Sequence, residues 1–255
     1  MPVPPILWTP SRERIERATI TRFAEHAGRA GASYGELWRW SVEDLDGFWR
    51  AIWSFFDVQA DGDPSTALGS RAMPGATWFP DVRLSLPEHV FRGRDDGEVA
   101  IRHASELRAL SAWTWGQLRE ETARIATGLR RMGVGPGDRV AAYLPNVPET
   151  AAAFLACASL GATWSSAAPE FGARSVVDRF AQIEPRVLLA VDGYSYGGRD
   201  FDRRDVVAGI RAELPTVEHL VTLGHLDGTG WPDELAGAHE PLRFERVPFD
   251  HPLWV

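Results

Sequence analysis

Between Leu45 and Phe56 the apolar residues Leu45, Phe48, Trp49, Ile52, Trp53 and Phe56 recur at steps of three and four, the spacing that puts side chains on one face of a helix. Ser41 precedes the stripe as a candidate N-cap. The stripe predicts a helix docked on the main domain. A helix lying in a membrane interface would carry cations opposite its apolar face, and here Glu43, Asp44, Asp46 and Asp57 dominate instead. Upstream, Ile15, Ala18 and Arg22 keep a weaker helical spacing and predict a peripheral helix over Ser11 to Ala27. Residues 58–75 gather Asp, Gly, Pro, Ser and Thr, the composition of a linker.

Beyond the linker the period changes. Glu98 to His103 and Leu110 to Thr114 read as two short strands joined by a polar turn. Thr114-Trp-Gly-Gln117 has the form of a capping box, and Leu118, Thr122, Ile125, Leu129 and Met132 continue it as a helical stripe that ends at Gly133. Gly135-Pro-Gly-Asp138 is a turn leading into Arg139 to Leu144, a short apolar run suited to a strand buried on both faces. Asn146 caps an Ala-rich helix to Leu160, Thr163 to Ala167 is a strand, Gly172 to Ile183 a helix and Val187 to Val191 a strand. A helix at Asp205 to Leu214 and a strand at Val217 to Leu223 extend the alternation. Strand, helix, strand with short connections predicts an α/β fold with a mostly parallel sheet. The chain finishes on Pro248 to Val255, apolar residues that read as the opening of another strand; native termini are usually polar, so this ending points to truncation.

Composition narrows the chemistry. The chain of 255 residues is 44% hydrophobic and supports a real core, while its net charge of -8 offers no field for a nucleic-acid backbone. No apolar run approaches the ~18 residues of a membrane span and no secretory leader is visible, which predicts a cytoplasmic protein. All 27 basic residues are Arg, so the chain lacks a lysine for a phosphate loop, a Schiff base or a charged transition state. Cys157 lies in an apolar helical segment with no base or cation beside it and reads as core.

Familiar catalytic signatures are missing. Gly133-Val-Gly-Pro-Gly137 precedes a strand rather than a helix, so its amides do not join a helix N-terminus and it reads as a turn. The seven histidines include no pair at zinc-binding spacing, no Gly-x-Ser-x-Gly elbow occurs, and no metal site is predicted. One segment invites a ligand: Asp192-Gly-Tyr-Ser-Tyr-Gly-Gly-Arg-Asp200 follows a strand at the sheet edge where open α/β folds bind ligands, and Arg199 beside two glycines could grip a phosphate. An ordinary solvated loop is the alternative reading.

Several stretches, taken in order, resemble the adenylate-forming acyl-CoA synthetases. Tyr34-Gly-Glu-Leu-Trp-Arg-Trp-Ser-Val-Glu-Asp44 with Phe48-Trp49 is similar to the N-terminal cap of acetyl- and acetoacetyl-CoA synthetases. Met73 to Pro80, Gly133 to Asn146 and Gly161 to Ser166 are similar to further family segments. Gly172-Ala-Arg-Ser-Val-Val-Asp-Arg-Phe180, Gln182-Ile-Glu-Pro185, the Asp192-Gly-Tyr loop and Phe249-Asp-His-Pro-Leu-Trp-Val255 resemble the acetoacetyl-CoA synthetase branch in particular. The resemblance implies residues 1–90 as an arm and helical cap, and 91–255 as the first, incomplete β/α subdomain of an adenylation domain that stops before the phosphate loop. It implies a ligase that joins acetoacetate to coenzyme A with ATP and Mg²⁺ through an acyl-adenylate, with no catalytic residue in this chain and no activity from the chain alone. Tyr196, Gly197, Gly198 and Arg199 resemble the loop that touches coenzyme A; Tyr196 stands where acetyl-CoA synthetases carry an arginine. Leu84-Ser-Leu-Pro-Glu-His89 departs from the family's usual Leu-Asn-Tyr-Ala-Glu, with Pro87 lacking a donor. The alternatives are an acetyl- or propionyl-CoA synthetase and a stand-alone coenzyme A-binding module.

Overall fold

The computed structural model describes residues 5–255. They divide into two compact units: one runs to Arg83 and takes in Pro248–Asp250, the other comprises Leu84–Val247 and His251–Val255.

The first unit holds α1 (Arg12–Glu16), α2 (Thr19–His26), α3 (Tyr34–Glu43) and α4 (Leu45–Phe55), then four short strands, β1 (Asp61–Gly62), β2 (Leu68–Ser70), β3 (Thr77–Trp78) and β4 (Val82–Arg83). The single helix expected over Ser11 to Ala27 is two. Ala18 is extended at φ -67°, ψ 143°, and the Thr21 hydroxyl donates to the Ile15 carbonyl at 2.6 Å, satisfying an acceptor that the break would otherwise leave. Ser41 is not an N-cap either; it lies in the last turn of α3 and donates to the Trp38 carbonyl. Asp44 caps α4, accepting from the Gly47 amide at 3.0 Å and the Trp40 indole at 3.1 Å, a better acceptor placed where the chain turns. A Ser33/Glu36 capping box starts α3. The apolar stripe on α4 is shared between two surfaces. Phe48 and Ile52 pack with Phe55 on Phe23, Leu37 and Trp40, whereas Trp49 meets Trp78 and Trp53 meets Phe79. The expected linker 58–75 contains β1 and β2, which pair antiparallel with β4 and β3, and Asp46 accepts from the amides of Ala67 and Leu68. Turn-forming residues there left backbone amides that this carboxylate and the short ladders satisfy.

The second unit continues with α5 (Leu86–Phe91), the antiparallel pair β5 (Val99–His103) and β6 (Ser111–Thr114), and α6 (Trp115–Arg131). Pro87 sits in the first turn of α5, where an N–H has no helical partner, so the missing donor costs no hydrogen bond. The Thr114/Gln117 capping box is present. β7 (Arg139–Tyr143), α7 (Pro148–Ser159), β8 (Thr163–Ala167), α8 (Ala173–Phe180) and β9 (Val187–Val191) follow, then the hairpin strands β10 (Gly193–Tyr196) and β11 (Arg199–Asp202), α9 (Arg204–Ala212), β12 (His219–Leu223) and α10 (Asp233–Ala236). Asn146 does not cap α7; Val147 occupies that position without a side-chain bond, and Pro148 presets the first turn.

Four strands form a parallel sheet in the order β12-β9-β7-β8, the α/β architecture the alternation predicts. Its strands alternate between two cores. Val140, Ala142, Val187, Leu189, Val191, Val221 and Leu223 pack with the inward faces of α6 and α7, while Ala141, Tyr143, Leu188 and Ala190 pack with Val176, Phe180, Val207 and Ile210 of α8 and α9. Cys157 is completely buried on α7, and burial pushes its thiol pKa well up, which leaves it an inert core residue. The tail runs along β8: Trp164 donates to the Leu253 carbonyl at 3.0 Å and accepts from the Val255 amide at 2.9 Å. No helix among the described residues is long and apolar enough to cross a membrane.

Candidate functional site

The candidate residues lie beyond the C-terminal end of β9. β9 ends at Val191, and Asp192 then turns the chain into a hairpin in which β10 and β11 pair residue for residue, Gly193 with Asp202 through Tyr196 with Arg199. An open loop was expected; the segment is a two-residue β-hairpin because Gly197 and Gly198 adopt φ of 62° and 71°, the doubly left-handed turn that suits the twist of paired strands. A side chain at either glycine would meet nothing within 4 Å, so backbone conformation, rather than space, calls for glycine here.

The hairpin is stiffened on its base. Tyr194 and Phe201 stack across the strands at 5.0 Å, the Arg203 guanidinium covers both rings, and its Nη2 donates to the Tyr194 hydroxyl at 2.9 Å. Asp192 anchors the whole. Its buried carboxylate accepts three backbone amides from the turn after β12, those of His225 and Leu226 at 2.8 Å and of Asp227 at 3.0 Å. The carboxylate thereby ties the exit of β9 to the exit of β12.

Tyr196, Gly197, Gly198 and Arg199 come together at the exposed tip, with Tyr196 73% exposed. The two glycine amides are engaged. Glu106, in the turn between β5 and β6, places one carboxylate oxygen on each, accepting from Gly197 at 2.7 Å and Gly198 at 2.8 Å. These bonds, that from Gly198 first, hold the Glu106 carboxyl below the usual carboxylate range. Sequence reasoning missed Glu106, since it lies 91 residues from its partner in an unremarkable polar turn. The signal available was the paired glycine itself, which aims two successive N–H groups at an acceptor without saying which one.

The turn that carries Glu106 is itself fixed. Ser105 and Arg108 exchange backbone hydrogen bonds, and Nη1 of Arg108 reaches both carboxylate oxygens of Glu149, in the first turn of α7, at 2.7 and 3.0 Å. Beside this pair His225 is 5% exposed, its Nδ1 has no partner, and burial, with the Arg108 charge second, lowers its pKa. Among the described residues no group of three or more His, Cys, Asp and Glu could hold a metal.

Residues 93–252 match the family described as AMP-binding enzyme, and residues 34–89 match acetyl-coenzyme A synthetase N-terminus. The chain is 37% identical to an acetoacetyl-coenzyme A synthetase of Rhizobium meliloti and 33% identical to an acetoacetyl-CoA synthetase of Macaca fascicularis, in each case over 98% of this chain and 40% of the relative. Among solved structures, acetoacetyl-CoA synthetase from Streptomyces lividans superposes with a TM-score of 0.92 at 48% identity, over 99% of this chain and 41% of that one. The chain thus spans about two-fifths of the length of the proteins it matches.

Proposed function

Because the chain belongs to the AMP-binding enzyme family through residues 93–252, we propose that it forms part of an acetoacetate–CoA ligase, which converts ATP, acetoacetate and coenzyme A to acetoacetyl-CoA, AMP and diphosphate through an acyl-adenylate. The observation that carries the reading is a likeness extending over cap and sheet together, 99% of the chain at 48% identity, to a protein that bears that description. We assign residues 1–90 to the arm and cap and 91–255 to the start of the adenylation domain, acting on small molecules in the cytoplasm.

Within this part, the hairpin tip is the coenzyme A contact. Arg199 is exposed and follows directly in the chain on two backbone N–H groups that already hold a carboxylate, so the tip suits an anion. Coenzyme A bound there would bring the thiol that displaces AMP; Arg199 and the glycine amides would hold its phosphates, and Tyr196 would flank them. The described residues offer no metal cage of their own. The chain contributes positioning, while the chemistry of adenylation belongs to a longer polypeptide.

The test is acetoacetate- and ATP-dependent release of diphosphate by the 255-residue chain beside a protein extended to the length of the relatives. Release by the extended protein alone is expected. Release by the short chain, or by the extended protein with acetate or propionate in preference to acetoacetate, overturns the reading.

A further inference from the structure

We propose that Glu106 is an internal anion that occupies the ligand site at the hairpin tip and has to leave before a phosphate group can bind there. The inference rests on the reading of this tip as the coenzyme A contact and adds a regulatory element to it. Three observations carry it. The Gly197 and Gly198 amides point at one acceptor, as successive N–H groups in a doubly left-handed turn do, and the acceptor they hold is a carboxylate, with one oxygen on each nitrogen at 2.7 and 2.8 Å. Arg199, next in the chain, is exposed, and the Glu106 carboxyl is held by the two glycine amides rather than by this cation, so the tip keeps a positive charge for an incoming anion. Finally, both Glu106 and the tip are exposed, so the carboxylate can swing into water at little cost, whereas its turn stays put because Arg108 is clamped to the half-buried start of α7 by Glu149.

An internal ligand divides the site between closed and open forms, and the apparent affinity for an external anion is the intrinsic affinity multiplied by the open fraction. Removing the carboxylate should therefore tighten binding. Coenzyme A is titrated into the ¹⁵N-labelled 255-residue chain, its E106A and E106Q variants and R199A, following the backbone amides of Gly197 and Gly198. E106A should bind roughly threefold to tenfold more tightly than the parent, with both glycine amides shifting, and E106Q, which keeps one neutral acceptor, should fall between. Tighter binding by E106A together with weaker binding by R199A supports both the inference and the reading beneath it. Weaker binding by R199A with E106A equal to or weaker than the parent overturns the role of Glu106 and leaves the coenzyme A contact standing. Equal behaviour of all four proteins, absence of binding included, overturns both.

Discussion

The Asp192 carboxylate and the backbone N–H of His225 stand 2.8 Å apart, joining the residue that follows β9 to the second residue after β12. With the amides of Leu226 and Asp227 completing the set, a single side chain fixes two loops at the ligand edge of the sheet.

Replacing Asp192 removes the acceptor of the Leu226 and Asp227 amides and leaves that of buried His225 with the Leu223 carbonyl at 3.0 Å alone. D192A should lower unfolding stability by about 2–4 kcal/mol, and D192N, which keeps one carbonyl oxygen, by less. Urea denaturation of the three proteins measures this; equal midpoints would show that water replaces the carboxylate freely.

His225 makes stability depend on pH. Its folded pKa lies below the ordinary 6.5, with burial the larger cause and Arg108 adding to it against the weaker opposing pull of Glu149 and Asp192. Between the folded and unfolded values the unfolded chain holds more protons, so stability is full above pH 6.5 and falls as the pH drops through that value toward the folded pKa. Thermal midpoints of the parent should decline from pH 7 to 5.5 more steeply than those of H225N. Parallel slopes would place the acid sensitivity elsewhere.

The parallel sheet was legible because its strands are short, apolar on both faces and separated by helices with clear stops; Val187 to Val191 shows the pattern at its plainest. Capping was legible at Thr114 but misplaced at Ser41 and Asn146, since a hydroxyl or amide before an apolar run is equally at home inside a turn, and Asp44 or a proline can begin the helix instead. The site was half visible. Paired glycines and Arg199 follow a strand in sequence, but Glu106, Arg108 and Glu149 gather there only through the tertiary fold.

The pairing of Arg108 with Glu149 should prove stronger than a surface ion pair, because the two side chains are only 26% and 12% exposed. A double-mutant cycle with R108A, E149A and the double variant should return a coupling of about 1–2 kcal/mol, compared with less than about 1 kcal/mol for the exposed Arg12/Glu16 pair. A coupling no larger than that of the exposed pair would mean that solvent screens this site as it does the surface.

The hairpin turn tests conformation apart from packing. At Gly197 and Gly198 an added Cβ would touch nothing, so an alanine there meets strain through its positive φ alone. G197A and G198A should each destabilise the chain by about 1 kcal/mol, where an alanine at Gly209, within α9 and equally uncrowded, should stabilise it by about 0.5–1 kcal/mol. The opposite signs are the decisive point, because both classes of site are open to solvent on the Cβ side and differ chiefly in backbone angle. Should the turn variants leave the urea midpoint unchanged, the hairpin would have to reach its register by a different turn, and the grip of Glu106 on two successive amides would be lost with it.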